Sequence, residues 1–187
     1  MRMHGDTTEQ KIIHAANSLF GSHGYDGVSM ATIAAEVGIT KPSLYHFFEN
    51  KEAIYHTVME SFLQSIEEVF DRASSSAPKA LLSSVIEEII ELSIENGNVM
   101  MHVDASVLKS KKKDGEYLCT KFQGLFQKAA ECLGVYAIAN PHLSTYVLLN
   151  AVHGYLKWSP TDPYAVDIHT FSTFLSSMLE HTPNQLS

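Results

Sequence analysis

Apolar residues recur at helical spacing along almost the whole chain, with no internal repeat and almost none of the strict alternation that marks a half-buried strand. Asp6 and Thr7 stand three residues before Glu9 and Gln10, the spacing of a capping box, and Ile12, Ala16, Leu19 and Phe20 then share one face. Gly21 and Gly24 are expected to end this first helix. A second, short helix is predicted after Ser29, with Met30, Ile33, Ala34 and Val37 inward and Gly38 as its stop. Thr40 caps a third helix, running to Phe48, and Pro42 falls in its first turn, where a missing amide hydrogen costs nothing. Leu44 and Phe48 point toward the Ile33 and Val37 face, which leaves Lys41, Pro42, Ser43, Tyr45 and His46 outside. Of Tyr45, Phe47 and Phe48, only Tyr45 is assigned outward.

Asn50 caps a longer fourth helix to Arg72, followed by a flexible "SSSAP" at 74–78. Further helices are predicted over 78–95, 99–108, 116–133, 141–157 and 166–181. The lysine-rich "KSKKKDG" forms a loop, and Asn140 with Pro141 caps the helix after it but one. The fold class is therefore all-α with about nine helices. Residues 1–50 form a three-helix unit with a helix-turn-helix, and residues 51–187 form a larger helical domain.

Composition narrows the class further. With 45% hydrophobic and 18% charged residues over 187 positions, the chain has the balance of a globular protein. No apolar run approaches the roughly 18 residues of a membrane span, and "MRMHGDTTEQ" lacks an apolar signal core, so no membrane association and a cytoplasmic location are expected. Cys119 and Cys132 lie in one predicted helix, about 20 Å apart along it, and are expected to be reduced thiols. There are no GxSxG, P-loop, HExxH or CxxC patterns, and the ten histidines show no paired ligand spacing, so no catalytic residue, metal or cofactor is expected. The net charge of −8 argues against nucleic acid, but it is uneven. Residues 1–57 carry four Lys/Arg against six Asp/Glu with five histidines, whereas 58–108 carry two against nine. Contacts depend on potential within a Debye length, roughly 8 Å at physiological salt, so the total does not exclude DNA.

The segment "SMATIAAEVGITKPSLYHFF" fits a helix-turn-helix, with Ala34 small at the crossing and Gly38 free to turn left-handed. From this pattern alone, a DNA-binding element and a bare helical corner both fit. Residues 8–55, "TEQKIIHAANSLFGSHGYDGVSMATIAAEVGITKPSLYHFFENKEAIY", are more specific: they resemble the N-terminal domain of the TetR family of transcriptional regulators. The resemblance implies that the third helix, Thr40 to Phe48, enters the major groove by its N-terminal end, which carries roughly half a positive charge from the helix dipole. It makes Lys41 a base or phosphate contact, Ser43 and the Pro42 ring base contacts, and Thr40, Tyr45 and His46 phosphate contacts. Thr32 would reach a base edge or the backbone, Ser29 a phosphate, and Lys51 would clamp a phosphate from the fourth helix. Pro42 stands where many members of the family carry glycine or alanine.

For the larger domain the resemblance implies an effector pocket and a dimer interface, hence a dimeric repressor of double-stranded operator DNA released by a small molecule. A helical interaction protein that keeps the helix-turn-helix only as scaffold is the alternative. Phe62, Ile66, Met100, Met101, Phe122, Phe126, Asn150 and His153 mix apolar bulk with a few polar groups and are the pocket candidates. Ile168, Phe171, Leu175 and Met178 recur at 3, 4, 3, a seam suited to a homodimer, with Val147, Ala151 and Gly154 facing it from the preceding helix. The lysines Lys109, Lys111, Lys112 and Lys113 read as a solvated loop.

Overall fold

A side-chain oxygen three residues ahead of an orphan backbone amide is a cheap way to start a helix, and this chain uses it repeatedly. The computed structural model describes residues 7–76, 81–96 and 113–181, with side chains in the last stretch from residue 117. Eight helices stand among the described residues: α1 (Thr8–His23), α2 (Met30–Val37), α3 (Lys41–Tyr45), α4 (Lys51–Ser76), α5 (Leu82–Glu95), α6 (Lys113–Val135), α7 (Pro141–Trp158) and α8 (Ile168–Glu180). Thr7 and Gln10 close the capping box of α1, the Gln10 amide donating to Thr7 Oγ1 at 3.2 Å and the Thr7 amide to Gln10 Oε1 at 2.8 Å. Ser29, Thr40, Asn50 and Asp167 accept in the same way at the starts of α2, α3, α4 and α8. The predicted helix over 99–108, with Met100, Met101 and the loop lysines Lys109, Lys111 and Lys112, lies outside the described residues.

The chain divides into two compact units, Met1–Phe62 with Glu95–Leu118, and Leu63–Ile94 with Cys119–Ser187; α4 contributes residues to both. In the first, Ile12, Ala16 and Phe20 of α1 pack with Ile33 and Ala34 of α2, Leu44 of α3 and Ile54, Tyr55 and Val58 of α4, all buried. Phe20, Tyr25 and Tyr55 form an aromatic cluster, with the Phe20 and Tyr55 rings edge to face at 5.2 Å and those of Tyr25 and Tyr55 at 5.0 Å. In the second, Ile66, Phe70 and Ala73 of α4 meet Ile86 and Ile90 of α5, Leu125, Ala129 and Leu133 of α6, Leu148 and Val152 of α7, and Leu175 and Leu179 of α8 in one buried set. Lys128 bonds Asp71 at 2.6 Å, Arg72 pairs with Glu88, and Glu87 accepts from both His169 (2.7 Å) and Ser172 (3.0 Å), which ties α8 to α5.

Several boundaries differ from the sequence expectation, each for a local reason. Gly21 lies inside α1, and Gly24 alone ends it, with φ 68 and its amide on the Phe20 carbonyl. α4 continues through Ser74–Ser76, with the Ser75 hydroxyl turned onto the Asp71 carbonyl at 2.8 Å, so the serines do not form a break. Asn140 makes no side-chain cap; its φ of 48 shows that it serves a left-handed turn ahead of Pro141. Both cysteines fall in α6 and are free thiols, with Cys132 buried.

Candidate nucleic-acid interface

Two short helices and the turn between them carry the candidate site. Ala34 is buried at 2% exposure in the crossing, and Gly38 takes φ 76, ψ 29, from which its amide bonds back to Ala34 and Ala35. α3 then starts at Thr40, whose Oγ1 accepts the Ser43 amide at 3.2 Å and shares a hydrogen bond with Ser43 Oγ at 2.7 Å. Ser29 and Thr32 repeat the arrangement at the start of α2, at 3.1 and 2.8 Å. Each pair orients two hydroxyls side by side while keeping lone pairs and one proton for an outside group. Leu44, fully buried, and Phe48 anchor the inner side of α3; Lys41, Pro42, Tyr45 and His46 are exposed.

The aromatic residues divide differently from the expectation. Phe47 is 44% exposed, close to Tyr45 at 48%, so of the three aromatic side chains only Phe48 is core. The reason is the length of α3: it has five residues, and His46 and Phe47 already lie in a turn, which rotates Phe47 away from the position an unbroken helix would give it. So short a helix aligns little more than one turn of peptides, and the charge at this edge rests mainly on Lys41. Its ammonium stands 5.9 Å from the Tyr45 ring centre.

Lys51 behaves otherwise. Its Nζ donates to the Tyr25 carbonyl at 2.7 Å and sits 3.9 Å above the Tyr25 ring, tying the start of α4 to the turn after α1. Burial, with Glu52 and Asp26 nearby, holds the Tyr25 hydroxyl above its ordinary range. No spacing rule pairs residues 25 and 51, so this clasp was invisible in sequence.

Residues 12–58 match the family model described as bacterial regulatory proteins, tetR family. Over 101 residues the chain is 34% identical to the biofilm operon icaADBC HTH-type negative transcriptional regulator IcaR of Staphylococcus aureus. Its N-terminal segment is therefore similar to the tetR family of bacterial regulatory proteins. The IcaR alignment covers 52% of this chain and 53% of IcaR, so the chain spans about half the length of the curated relatives it matches. Solved TetR-family folds superpose over nearly all of it. PfmR from Thermus thermophilus does so with a TM-score of 0.73 at 19% identity, covering 90% of this chain and 96% of PfmR. AibR, in complex with isovaleryl coenzyme A and operator DNA, gives 0.71 at 20% identity, covering 92% and 98%. These likenesses establish the fold of the second unit, whose sequence the family model does not reach.

Phe62 and Ile66 are buried at 3% each, and Phe122 and Phe126 are half-buried, Phe126 stacking on His142 at 6.2 Å. Asn150 and His153 are exposed among the described residues, on the side of α7 away from the buried Leu148 and Val152. The α7 sequence is apolar nearly all round, which hid its outer face. On α8, Leu175 is buried at 4% and belongs to the core, while Phe174 and Met178 are 64% and 50% exposed. The outward seam is thus Phe171, Phe174 and Met178, with Ile168 and Phe171 partly covered. Phe171 stacks on Tyr155 at 4.3 Å, and Tyr155 donates to the Val166 carbonyl at 3.0 Å. Leu143, Tyr146 and Val147 are exposed on α7, Ala151 and Gly154 lie between them and Trp158, and a Cβ on Gly154 would meet nothing within 4 Å.

Proposed function

We propose that this chain is a dimeric, ligand-responsive transcriptional repressor that binds a two-fold symmetric operator through α3. The observation that carries this reading is the exposed edge of the helix-turn-helix, where Lys41 and Pro42 lie in the chain between the bonded hydroxyls of Thr40 and Ser43 and a second such pair, Ser29 with Thr32, opens α2. Lys41 supplies the charge, Ser43 and Pro42 meet base edges, and Ser29, Thr32, Thr40, Tyr45 and His46 meet the backbone. Lys51 fixes the domain that presents α3 through one N–H on the Tyr25 carbonyl and keeps two further N–H donors for a backbone phosphate. IcaR is named a negative regulator, and the AibR complex holds a small molecule and operator DNA together on this fold. Those precedents favour repression and an effector for this chain. The effector would bind in the second unit beside Phe122 and Phe126 of α6 and Ile66 of α4, and the exposed faces of α7 and α8 would join two copies. Effector binding would favour a separation of the two recognition helices that no longer matches successive major grooves, about 34 Å apart. The chain acts by binding and not by catalysis.

The test is selection of duplexes from a randomised pool with the wild-type protein, followed by a salt series with Lys41→Ala. Loss of one phosphate contact should weaken binding roughly tenfold or more and reduce the slope of log affinity against log salt by about 0.9. A selected pool without two-fold symmetry, or an unchanged slope and affinity in the variant, overturns the reading. Lys51→Ala is the wrong probe, because it also breaks the clasp on Tyr25.

A further inference from the structure

The turn after α1 is built more stiffly than a link between two helices needs to be. Gly24 leaves α1 with φ 68, and a Cβ on Gly27 would strike the His23 carbonyl oxygen, so each end of the turn admits little but glycine. Tyr25 lies between them, its ring held by two buried neighbours: it stacks on Phe20 at 6.0 Å and meets Tyr55 edge to face at 5.0 Å. The Tyr25 carbonyl, next to the C-terminal end of α1, accepts from Lys51 Nζ at 2.7 Å and from the Val28 amide at 3.4 Å. A cation is favoured at that end of a helix. The ring centre stands 3.9 Å from the same ammonium. A surface lysine ordinarily keeps a flexible four-carbon stem, and a phosphate that captures it must freeze that stem on binding. Here a hydrogen bond and a ring face hold the half-buried Lys51 before any DNA arrives. Lys41, exposed and 5.9 Å from the Tyr45 ring centre, has the looser ring contact of the two. Lys51 is also the first residue of α4, where backbone amides without intrahelical partners add to the attraction for an anion.

We infer that Tyr25 is a positioning residue for operator binding, whose ring and carbonyl aim the Lys51 ammonium at a backbone phosphate before the two meet. The contact then forms without a further loss of side-chain freedom. This role rests on the proposed operator reading, and it adds a residue that acts on DNA only through Lys51. The ring face and the main chain supply the hold, and the Tyr25 hydroxyl has no part in it. The ring is therefore what a substitution can remove, and phenylalanine keeps it.

The test is the affinity of the full chain for a duplex selected from the randomised pool, with Lys51→Met introduced into wild type, Tyr25→Phe and Tyr25→Leu. In wild type, Lys51→Met should weaken binding roughly tenfold and lower the slope of log affinity against log salt by about 0.9. Tyr25→Leu alone should weaken binding by about two- to tenfold, the range for one side chain that must be immobilised on binding, and Lys51→Met on top of it should cost correspondingly less. Tyr25→Phe, the conservative variant, should restore the wild-type cost of Lys51→Met. A ring that served packing alone would give Lys51→Met the same cost in every background. That result overturns the inference, as does a Tyr25→Phe protein that binds like Tyr25→Leu. If Tyr25→Leu does not fold, relaxation of the lysine Cε and Nζ nuclei in the free, isotope-labelled wild type decides the matter: Lys51 should be distinctly more restricted than Lys41, and equal mobility overturns the inference. A pool that yields no two-fold symmetric duplex overturns the proposed function and this role with it, whereas a selected duplex with equal costs overturns this role alone.

Discussion

Asp167 illustrates how much one side chain can set at the end of a helix. It accepts the Thr170 amide at 2.9 Å and the Thr170 hydroxyl at 2.7 Å, and those bonds, the amide first, hold its carboxyl below the ordinary carboxylate range. A carboxylate whose pKa is depressed by folding stabilises the native state above its unfolded value of about 3.9, and that contribution disappears as pH falls through the native value. Asp167→Asn keeps a capping oxygen but removes the titration. The expected result is a melting temperature that falls less steeply in the variant than in wild type below about pH 4, with the curves parallel near neutrality, read by circular dichroism across the acid range. Cys132 shows the opposite direction: burial pushes its thiol up, so the neutral form persists in the core. The exposed positions of α3 were legible one by one, since Lys41 and its neighbours stand where an N-cap and a first-turn proline put them. The partner of Lys51 was not, because Tyr25 is distant in sequence and the contact exists only once α1 and α4 have packed.

Among the elements, the turn between α2 and α3 is the most demanding. Gly38 sits at φ 76 with open space where a Cβ would project, so an alanine there meets no clash and pays only for the left-handed backbone. Gly38→Ala should therefore cost about 1–2 kcal/mol, and Gly38→Asn less, since asparagine tolerates this region. Urea unfolding of both variants separates this account from a steric one, which would penalise the larger side chain more. The starts at Thr7, Ser29, Thr40 and Asn50 were readable in sequence because caps are local chemistry within one turn of the amides they satisfy, whereas Asp167, which caps α8 in the same way, was not singled out. Periodicity failed where its premise failed. Extending a period of 3.6 through His46 and Phe47 assigns Phe47 inward, but α3 has already unwound there. On α8, the spacing 3, 4, 3 fitted two registers, and only packing against α5 and α7 decided that Leu175 goes in and Phe174 goes out.

For the whole molecule, the exposed apolar surface of α7 and α8 is the feature a lone chain explains least. Phe174, Met178, Leu143 and Tyr146 are each between 47% and 64% exposed, a grouping that ordinary monomers avoid. In the proposed dimer Phe174 is the central anchor, so Phe174→Glu should raise the dissociation constant by about thirtyfold or more, the scale of an interface hot spot, with secondary structure retained. Sedimentation velocity over a concentration series checks this; an unchanged dimer would move the interface elsewhere. Fold class was open to the sequence because nearly every segment had one dominant period, whereas the faces of α7 were not, since apolar residues surround it. That same helix ends in Trp158, the one tryptophan of the chain, 61% exposed with the Lys157 ammonium 5.2 Å from its ring. The protein thus carries its own optical gauge: indole emission comes from a single wet site at the edge of this surface, and any body that covers the site shifts that emission to shorter wavelength without a label being attached.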